Sequence, residues 1–311
     1  MSLALLFPGQ GAQHPNMLRD LPDSPAVAST LHESGCRAEA LDSDTALKDT
    51  SSVQLALLIA GVAGARALTE DQGLIPQFVA GHSVGAFAAA VTAGVLTLAE
   101  AVAAVGLRGR LMEQACAQGD WGMLALTGLP TRVAVELVSQ IATEHVPLWV
   151  ANVNSATETV LSGSASALQA ATSAAQRAGA LNSRRLDVAV ASHCPVQEDT
   201  ARHMAEQLAS VPRRTLTARC LTNTTGRVAT SADAVLDDLA QAVSRPVQWY
   251  DATRLMGELG VTCVVETEPG HVLTQLFSSA VPSVLAISLA DAGLSATVDR
   301  AHRTLRSEQP R

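Results

Sequence analysis

Aromatic residues make up only 3% of this 311-residue chain: four Phe, three Trp and one Tyr. That leaves too few rings for a stacking platform of the kind that holds single-stranded nucleic acid. Positive charge is also short, with 21 Lys and Arg against 29 Asp and Glu for a net −8. A phosphate backbone demands concentrated cations, so no nucleic-acid partner is expected. The five cysteines, Cys36, Cys116, Cys194, Cys220 and Cys263, are odd in number and form no C-x-x-C pair. Their spacing suits reduced thiols in the cytoplasm, and neither a zinc site nor a disulfide framework is expected. No apolar run reaches the roughly 20 residues of a membrane span. The longest, Val53 to Leu68, contains Gln54, two glycines and Arg66, and reads as a buried helix. The start, MSLALLFPGQ, has no basic region and Pro8 cuts its apolar run, so no secretory leader is expected.

What is present is a globular composition, 48% hydrophobic and 16% charged, in a chain long enough for one large domain carrying a smaller insert. Short β-rich runs alternate with long Ala-rich helical ones, the pattern of a parallel sheet flanked by helices. Strands are expected at Leu3–Phe7 and Gln77–Gly81, and helices around 24–38, 51–69, 84–93 and 97–117. After Gly119-Asp120 the order becomes strand 122–128, helix 131–142, strands 147–153 and 158–163, helix 164–178 and strand Ser183–Val188. This β-α-β-β-α-β order is that of a ferredoxin-like unit. The expected division is therefore an α/β large domain over 1–119 and 190–311, with a ferredoxin-like insert over 120–189. The large domain resumes with helix 196–209, strand 218–221, helices near 232–258, strand Thr262–Thr267 and a final helix.

The strongest chemical signal is Gly81-His82-Ser83-Val84-Gly85, a G-x-S-x-G between a strand and a helix. The sharp turn exposes Ser83, and the glycines remove side chains that would clash. Ser83 then sits at a helix N-terminus, where negative charge is favoured, and the Val84 N–H would face a carbonyl oxygen attached to it. A serine hydroxyl needs a base. Two of the eight histidines are serious candidates. His271, in Glu-Thr-Glu-Pro-Gly-His, would complete a hydrolase layout with Glu266 or Glu268 as the acid. His193, in Ser-His-Cys-Pro, lies where the insert rejoins the large domain, and a cleft between domains is where substrate would bind. Spacing does not choose between them. The Gly-flanked Gln10 loop, Phe7 to Gln13, either offers a second oxyanion N–H or is an ordinary strand-to-helix turn. Arg108, on a mostly apolar helix, needs an anion: a substrate carboxylate or an internal Asp or Glu. Arg184/Arg185 and Arg213/Arg214 are either a local basic patch for an acidic partner or solvated surface.

Together these residues resemble the malonyl-CoA:acyl-carrier-protein transacylase family over nearly the whole chain. FPGQGAQ, GHSVG, LRGRLMEQA, GML, ANVNS, SHC, PVQW and EPGHVL occur in that order. The resemblance implies an α/β-hydrolase-like large domain with a ferredoxin-like insert. It also implies Ser83 as nucleophile, His193 as base oriented by backbone carbonyls, Gln10 in the oxyanion loop and Arg108 on the malonyl carboxylate. His271 would then be structural. Malonyl-CoA would be a substrate with no permanently bound cofactor, and the acceptor an acyl carrier protein, by ping-pong transfer. Two departures matter: GHSVGAF where GHSLGEY is usual, and EPGHVL where a Gly-Pro-Gly-Lys form is usual. GHSVGAFAAAV is similar to the malonyl transferase subunit of biotin-independent malonate decarboxylase, whose carrier subunit would be the acceptor; fatty-acid or polyketide synthesis is the alternative. Ser192 before His193 is small and leaves methylmalonyl sterically open.

Overall fold

A computed structural model describes residues 2–307 of the chain. Among the described residues nine strands are distributed over two sheets: β1 (Ser2–Phe7), β2 (Phe78–Gly81), β3 (Trp121–Thr127), β4 (Leu148–Ser155), β5 (Glu158–Ser164), β6 (Asn182–Arg185), β7 (Arg219–Leu221), β8 (Val261–Glu266) and β9 (Leu285–Ser288).

The larger sheet has the order β7-β2-β1-β8-β9 and is parallel throughout. Counting only its own strands, this is 3-2-1-4-5, a doubly wound arrangement. Strand order reverses between β1 and β8, and the crevice beyond the carboxyl ends of the strands is where such sheets bind ligands. The apolar run of β1 follows from burial on both faces. Leu3, Leu5 and Phe7 point into one core, and Ala4 and Leu6 into the core on the opposite face, as the two-residue period of a strand requires.

The helix Thr50–Arg66 is capped by Asp49, whose carboxylate accepts from the Ser52 N–H. Extended to Asp71, it is long and apolar enough to cross a membrane, yet 78% of its most apolar stretch is buried inside the protein. It is a core helix. Its neighbour, Leu98–Cys116, opens with a reciprocal capping box between Thr97 and Glu100, which satisfies two N–H groups of the first turn. The two helices touch at Gly109, where a Cβ would lie 2.5 Å from the Ser51 Cα. This close approach carries Arg108 to Gln54.

The smaller sheet is antiparallel with order β4-β5-β3-β6. Helices Thr131–Ile141 and Ala165–Arg177 cover one face, with Leu137 and Leu168 packed on Leu124, Leu126 and Leu161. This is the ferredoxin-like arrangement, and β4 lies against the helices Trp249–Glu258 and Val272–Ala280.

Several elements differ from the sequence reading. The strand expected over Ser183–Val188 ends at Arg185, because the chain must leave the edge of the small sheet to return to the large one. The expected helix 24–38 ends at Glu33, and a separate short helix runs over Ala38–Leu41; Gly35, at φ +65°, breaks the run. The helices expected near 232–258 are present as Ala232–Gln241 and Trp249–Glu258, and the segment between them touches the site. Strand β9 had no counterpart in the sequence reading: four residues at a sheet edge carry too little pattern to announce themselves.

Candidate active site

Strand β2 ends at Gly81 and the helix Gly85–Thr92 begins four residues later. The turn between them is tight. A Cβ on Gly81 would lie 2.1 Å from the Gly85 carbonyl carbon, and one on Gly85 would lie 2.2 Å from the Phe7 oxygen. Ser83 adopts φ +54° and His193 φ +60°, left-handed conformations that non-glycine residues rarely hold. Among the described residues only one other non-glycine, Asn16, has a positive φ. Backbone strain is concentrated at the serine and the histidine, as at sites whose surroundings over-determine them.

The Ser83 Oγ lies 2.9 Å from His193 Nε2. His193 Nδ1 lies 2.5 Å from the Ala242 carbonyl oxygen, which can only accept, so Nδ1 carries the proton and Nε2 presents a lone pair to the serine hydroxyl. The backbone is held too: the His193 N–H donates to the Val243 oxygen at 2.7 Å, and Ser162 on β5 donates to the Ser192 oxygen at 2.6 Å. His193 is 2% exposed. Burial first, and the nearby Arg108 charge second, pull its pKa from 6.5 to about 3, so the imidazole is neutral in the resting protein. Among the described residues no carboxylate supports it; the Ala242 and Val243 carbonyls do.

Arg108 is also 2% exposed. Its Nη2 donates to Ser83 Oγ at 3.1 Å and its Nη1 to Gln54 Oε1 at 2.6 Å. Among the described residues no Asp or Glu pairs with it, so the internal ion pair left open by the sequence is not formed. Burial alone lowers the guanidinium from 12.5 to about 10. A buried cation beside a nucleophile, without an anion, is an incomplete arrangement.

Gln54 extends the chain of contacts, donating to the side-chain oxygen of Gln10 at 3.2 Å. The backbone N–H groups of Gln10 and Val84 have no acceptor among the described residues, and Val84 is 1% exposed. The Ser83 N–H is taken, by Asn223 Oδ1 at 2.8 Å. A cavity of about 320 Å³ opens beside Gln10 and His82, between the Gln10 loop, the small sheet at Asn152 and Asn154, and Leu273.

Other candidates lie elsewhere. The His82 ring turns to the small sheet, 3.0 Å from Asn154 Oδ1 and against Trp249. His271 is exposed and faces Asp291 at 3.8 Å. Glu266 accepts from the N–H and hydroxyl of Thr274. Neither Glu266 nor Glu268 approaches Ser83, so the hydrolase layout with His271 is not assembled. Of the basic pairs, Arg185 meets Asp120, Arg213 meets Asp233 and Arg214 takes both oxygens of Glu100; three of the four are paired surface charges. All five cysteines are free thiols. The sequence reading missed Gln54 and Asn223. Gln54 left a signal, a neutral polar residue in the most apolar helix; Asn223 left none.

The profile of the acyl transferase domain family matches residues 4–307. The chain belongs to that family. Within it, this acyltransferase is 34% identical over 297 residues to the malonyl CoA-acyl carrier protein transacylase of Escherichia coli K12, covering 92% of this chain and 95% of that protein. It is 34% identical over 307 residues to the same-named protein of Salmonella typhimurium, covering 95% and 98%. Among solved structures it is similar to a malonyl-transacylase in complex with the acyl-carrier protein of a type II PKS, at 31% identity and a TM-score of 0.90, over 96% of this chain and all of that one. The transacylase from Coxiella burnetii is equally similar in fold, at 30% identity and a TM-score of 0.90, over 98% of each chain. For an acyltransferase, a serine bonded to a neutral histidine is the expected working pair.

Proposed function

We propose that this acyltransferase moves a malonyl group from malonyl-CoA to the thiol of an acyl carrier protein through an ester on Ser83. The observation that carries the reading is Arg108: a buried guanidinium 3.1 Å from the Ser83 hydroxyl and, among the described residues, bonded to no carboxylate. An acyl group with its own free carboxylate supplies the missing anion.

The chemistry follows from the residues. His193 Nε2 takes the Ser83 proton as Oγ attacks the thioester carbonyl. The N–H groups of Val84 and Gln10 receive the oxyanion, and the imidazolium returns its proton to the departing CoA sulfur. In the second half the carrier thiol gives its proton to His193 and attacks the ester, and the imidazolium returns that proton to Ser83 Oγ as the ester C–O bond breaks. Loss of one oxyanion donor costs roughly 3–4 kcal/mol where it has been tested. The cavity beside Gln10 is of a size and position to admit the arm that carries the thiol.

The similar proteins described above bear the transacylase name, and one was solved with an acyl-carrier protein. They favour a carrier of fatty-acid or polyketide synthesis as the acceptor. The carrier subunit of malonate decarboxylase, expected from the GHSVGAF form, has only that short motif in its favour.

The test is intact-protein mass spectrometry after brief mixing with malonyl-CoA, followed by a holo acyl carrier protein. Wild type should gain a malonyl adduct that the carrier discharges, and Ser83→Ala should gain none. Steady CoA release into water without a carrier would replace the transferase reading by a hydrolase.

A further inference from the structure

The left-handed backbone of Ser83 has to be held by something, and the glycines of the turn only permit it. The side-chain amide of Asn223 spans the turn: Oδ1 accepts from the Ser83 N–H at 2.8 Å and Nδ2 donates to the Gly81 oxygen at 2.9 Å. Strand β7 pairs with β2 only as far as Ala80 opposite Leu221. Two residues on, the Asn223 amide takes over as the neighbour of the departing chain, satisfying one donor and one acceptor that the ladder no longer reaches.

Asn223 is itself fixed on every polar group. Its N–H donates to Asp238 Oδ2 at 2.7 Å, and its carbonyl accepts from the Gln248 N–H at 2.7 Å. The other Asp238 oxygen accepts from the N–H and hydroxyl of Thr224 at 2.9 and 2.6 Å. Asn223 is 3% and Asp238 8% exposed, so water does not substitute for these bonds. Asp238 lies on the helix Ala232–Gln241. One turn later, at the end of the same helix, the Ala242 carbonyl receives the Nδ1 proton of His193 and the Val243 carbonyl receives its N–H.

We propose that Asn223, anchored by Asp238, is a positioning residue that fixes the Ser83 turn relative to His193, with the helix Ala232–Gln241 as the common frame for nucleophile and base. The inference rests on Ser83 and His193 being the working pair and is independent of the acyl group transferred. A displacement of about 1 Å in such a pair lowers the rate by on the order of a hundredfold.

The test uses a small fluorophosphonate, which modifies an activated serine and carries neither a carboxylate nor CoA. Its rate of attachment to Ser83 is read by intact mass against a Ser83→Ala blank, with melting curves to give the folded fraction. Asn223→Ala should react about a hundredfold more slowly at equal folded fraction, and Asp238→Asn should lose about tenfold of the same rate. Asn223→Asp gives a signature that a merely structural role would not produce. Ionised, the new carboxyl accepts from Ser83 but repels the Gly81 oxygen; protonated, it restores both bonds. Asp238 is the nearest acid, with His82, His193 and Arg108 around the turn. The Asn223→Asp rate should therefore rise as pH falls from 8 to 5.5, while wild type, with His193 neutral throughout, stays flat. Labelling of Asn223→Ala within threefold of wild type, or a wild-type pH profile in Asn223→Asp, would overturn the proposal. Normal probe labelling without malonyl transfer would instead count against the transferase reading and leave the positioning result to stand on its own.

Discussion

Replacing Arg108 by Met should leave the protein as stable as wild type, or more so, while removing its preference for malonyl groups. Burial moves the guanidinium from 12.5 to about 10, and at 1.36 kcal/mol per pKa unit that is an uncompensated desolvation of about 3 kcal/mol. Met is nearly as long, unbranched and adaptable, so little cavity is left. The substitution strips Gln54 Oε1 of its 2.6 Å donor, a loss of about 1.5–3 kcal/mol for a bond to a charged group. The two contributions nearly cancel, and the melting temperature should stay or rise slightly. Function moves much further. Truncating one member of a desolvated, hydrogen-bonded charge pair costs about 2–5 kcal/mol, so malonylation of Ser83 should fall by between tens- and thousands-fold. Acetyl-CoA brings no carboxylate, and in wild type it would leave the guanidinium unpaired; in Arg108→Met that obstacle is gone. The assay is the ratio of malonyl to acetyl adduct formed in brief mixing, alongside thermal melting. A variant that keeps the wild-type ratio refutes the carboxylate contact. A variant destabilised by more than about 3 kcal/mol refutes the ledger for the buried cation.

Below pH 6.5 the unfolded chain protonates its copy of His193, whereas the folded chain, with a pKa of about 3, does not. Stability should therefore fall with pH through that window, by about 1.4 kcal/mol per pH unit from this group, as urea titrations at several pH values would show. Glu268 acts oppositely. Burial, with Asp291 and Asp20 adding repulsion, raises it from 4.5 to about 7, so the folded chain keeps a proton that the unfolded chain releases. Glu268→Gln should stabilise the protein by about 3 kcal/mol at pH 8 and steepen its loss of stability between pH 6.5 and 4.5; equal wild-type and variant curves would refute it. His271→Ala should leave the acylation rate within a factor of two, and a hundredfold loss would restore His271 as the base. Gly81→Ala should abolish acylation or folding, because its Cβ would sit 2.1 Å from backbone that cannot move aside; an active, stable variant would show that the turn tolerates a different path.

What could be read from the sequence was what depends on neighbouring residues. The nucleophile turn is local: strand, glycine, serine, glycine and helix within a dozen residues, each dictated by sterics that act along the chain. The β-α-β-β-α-β order of the small sheet is local in the same sense. The choice between His193 and His271 was not, since no neighbour along the chain marks either one as the base. What separates them is Ala242, 49 residues from His193 in the chain, which supplies the carbonyl that fixes the tautomer. Arg108 posed the same difficulty. Its helix announces a buried cation, but the absence of a carboxylate partner is a property of the packed core, visible only when Gln54 is found where an Asp or Glu would otherwise stand.

This division has a physical origin in how the site is assembled. Ser83 comes from the turn after β2, Arg108 from Leu98–Cys116, His193 from the segment after the small sheet, and Gln10 from the loop after β1. No two of these are near in sequence, so their mutual distances depend on how sheets and helices pack. Strain at Ser83 and His193 raises the demand on that packing, because a left-handed serine relaxes unless its N–H is claimed from outside the turn. Asn223 makes that claim, and Asp238 makes Asn223 rigid. Substitution in this second layer should therefore act on the Ser83–His193 distance before it acts on folding. A change that slows acylation while sparing the melting temperature, far from any contact with substrate, is the mark of a frame that positions the pair.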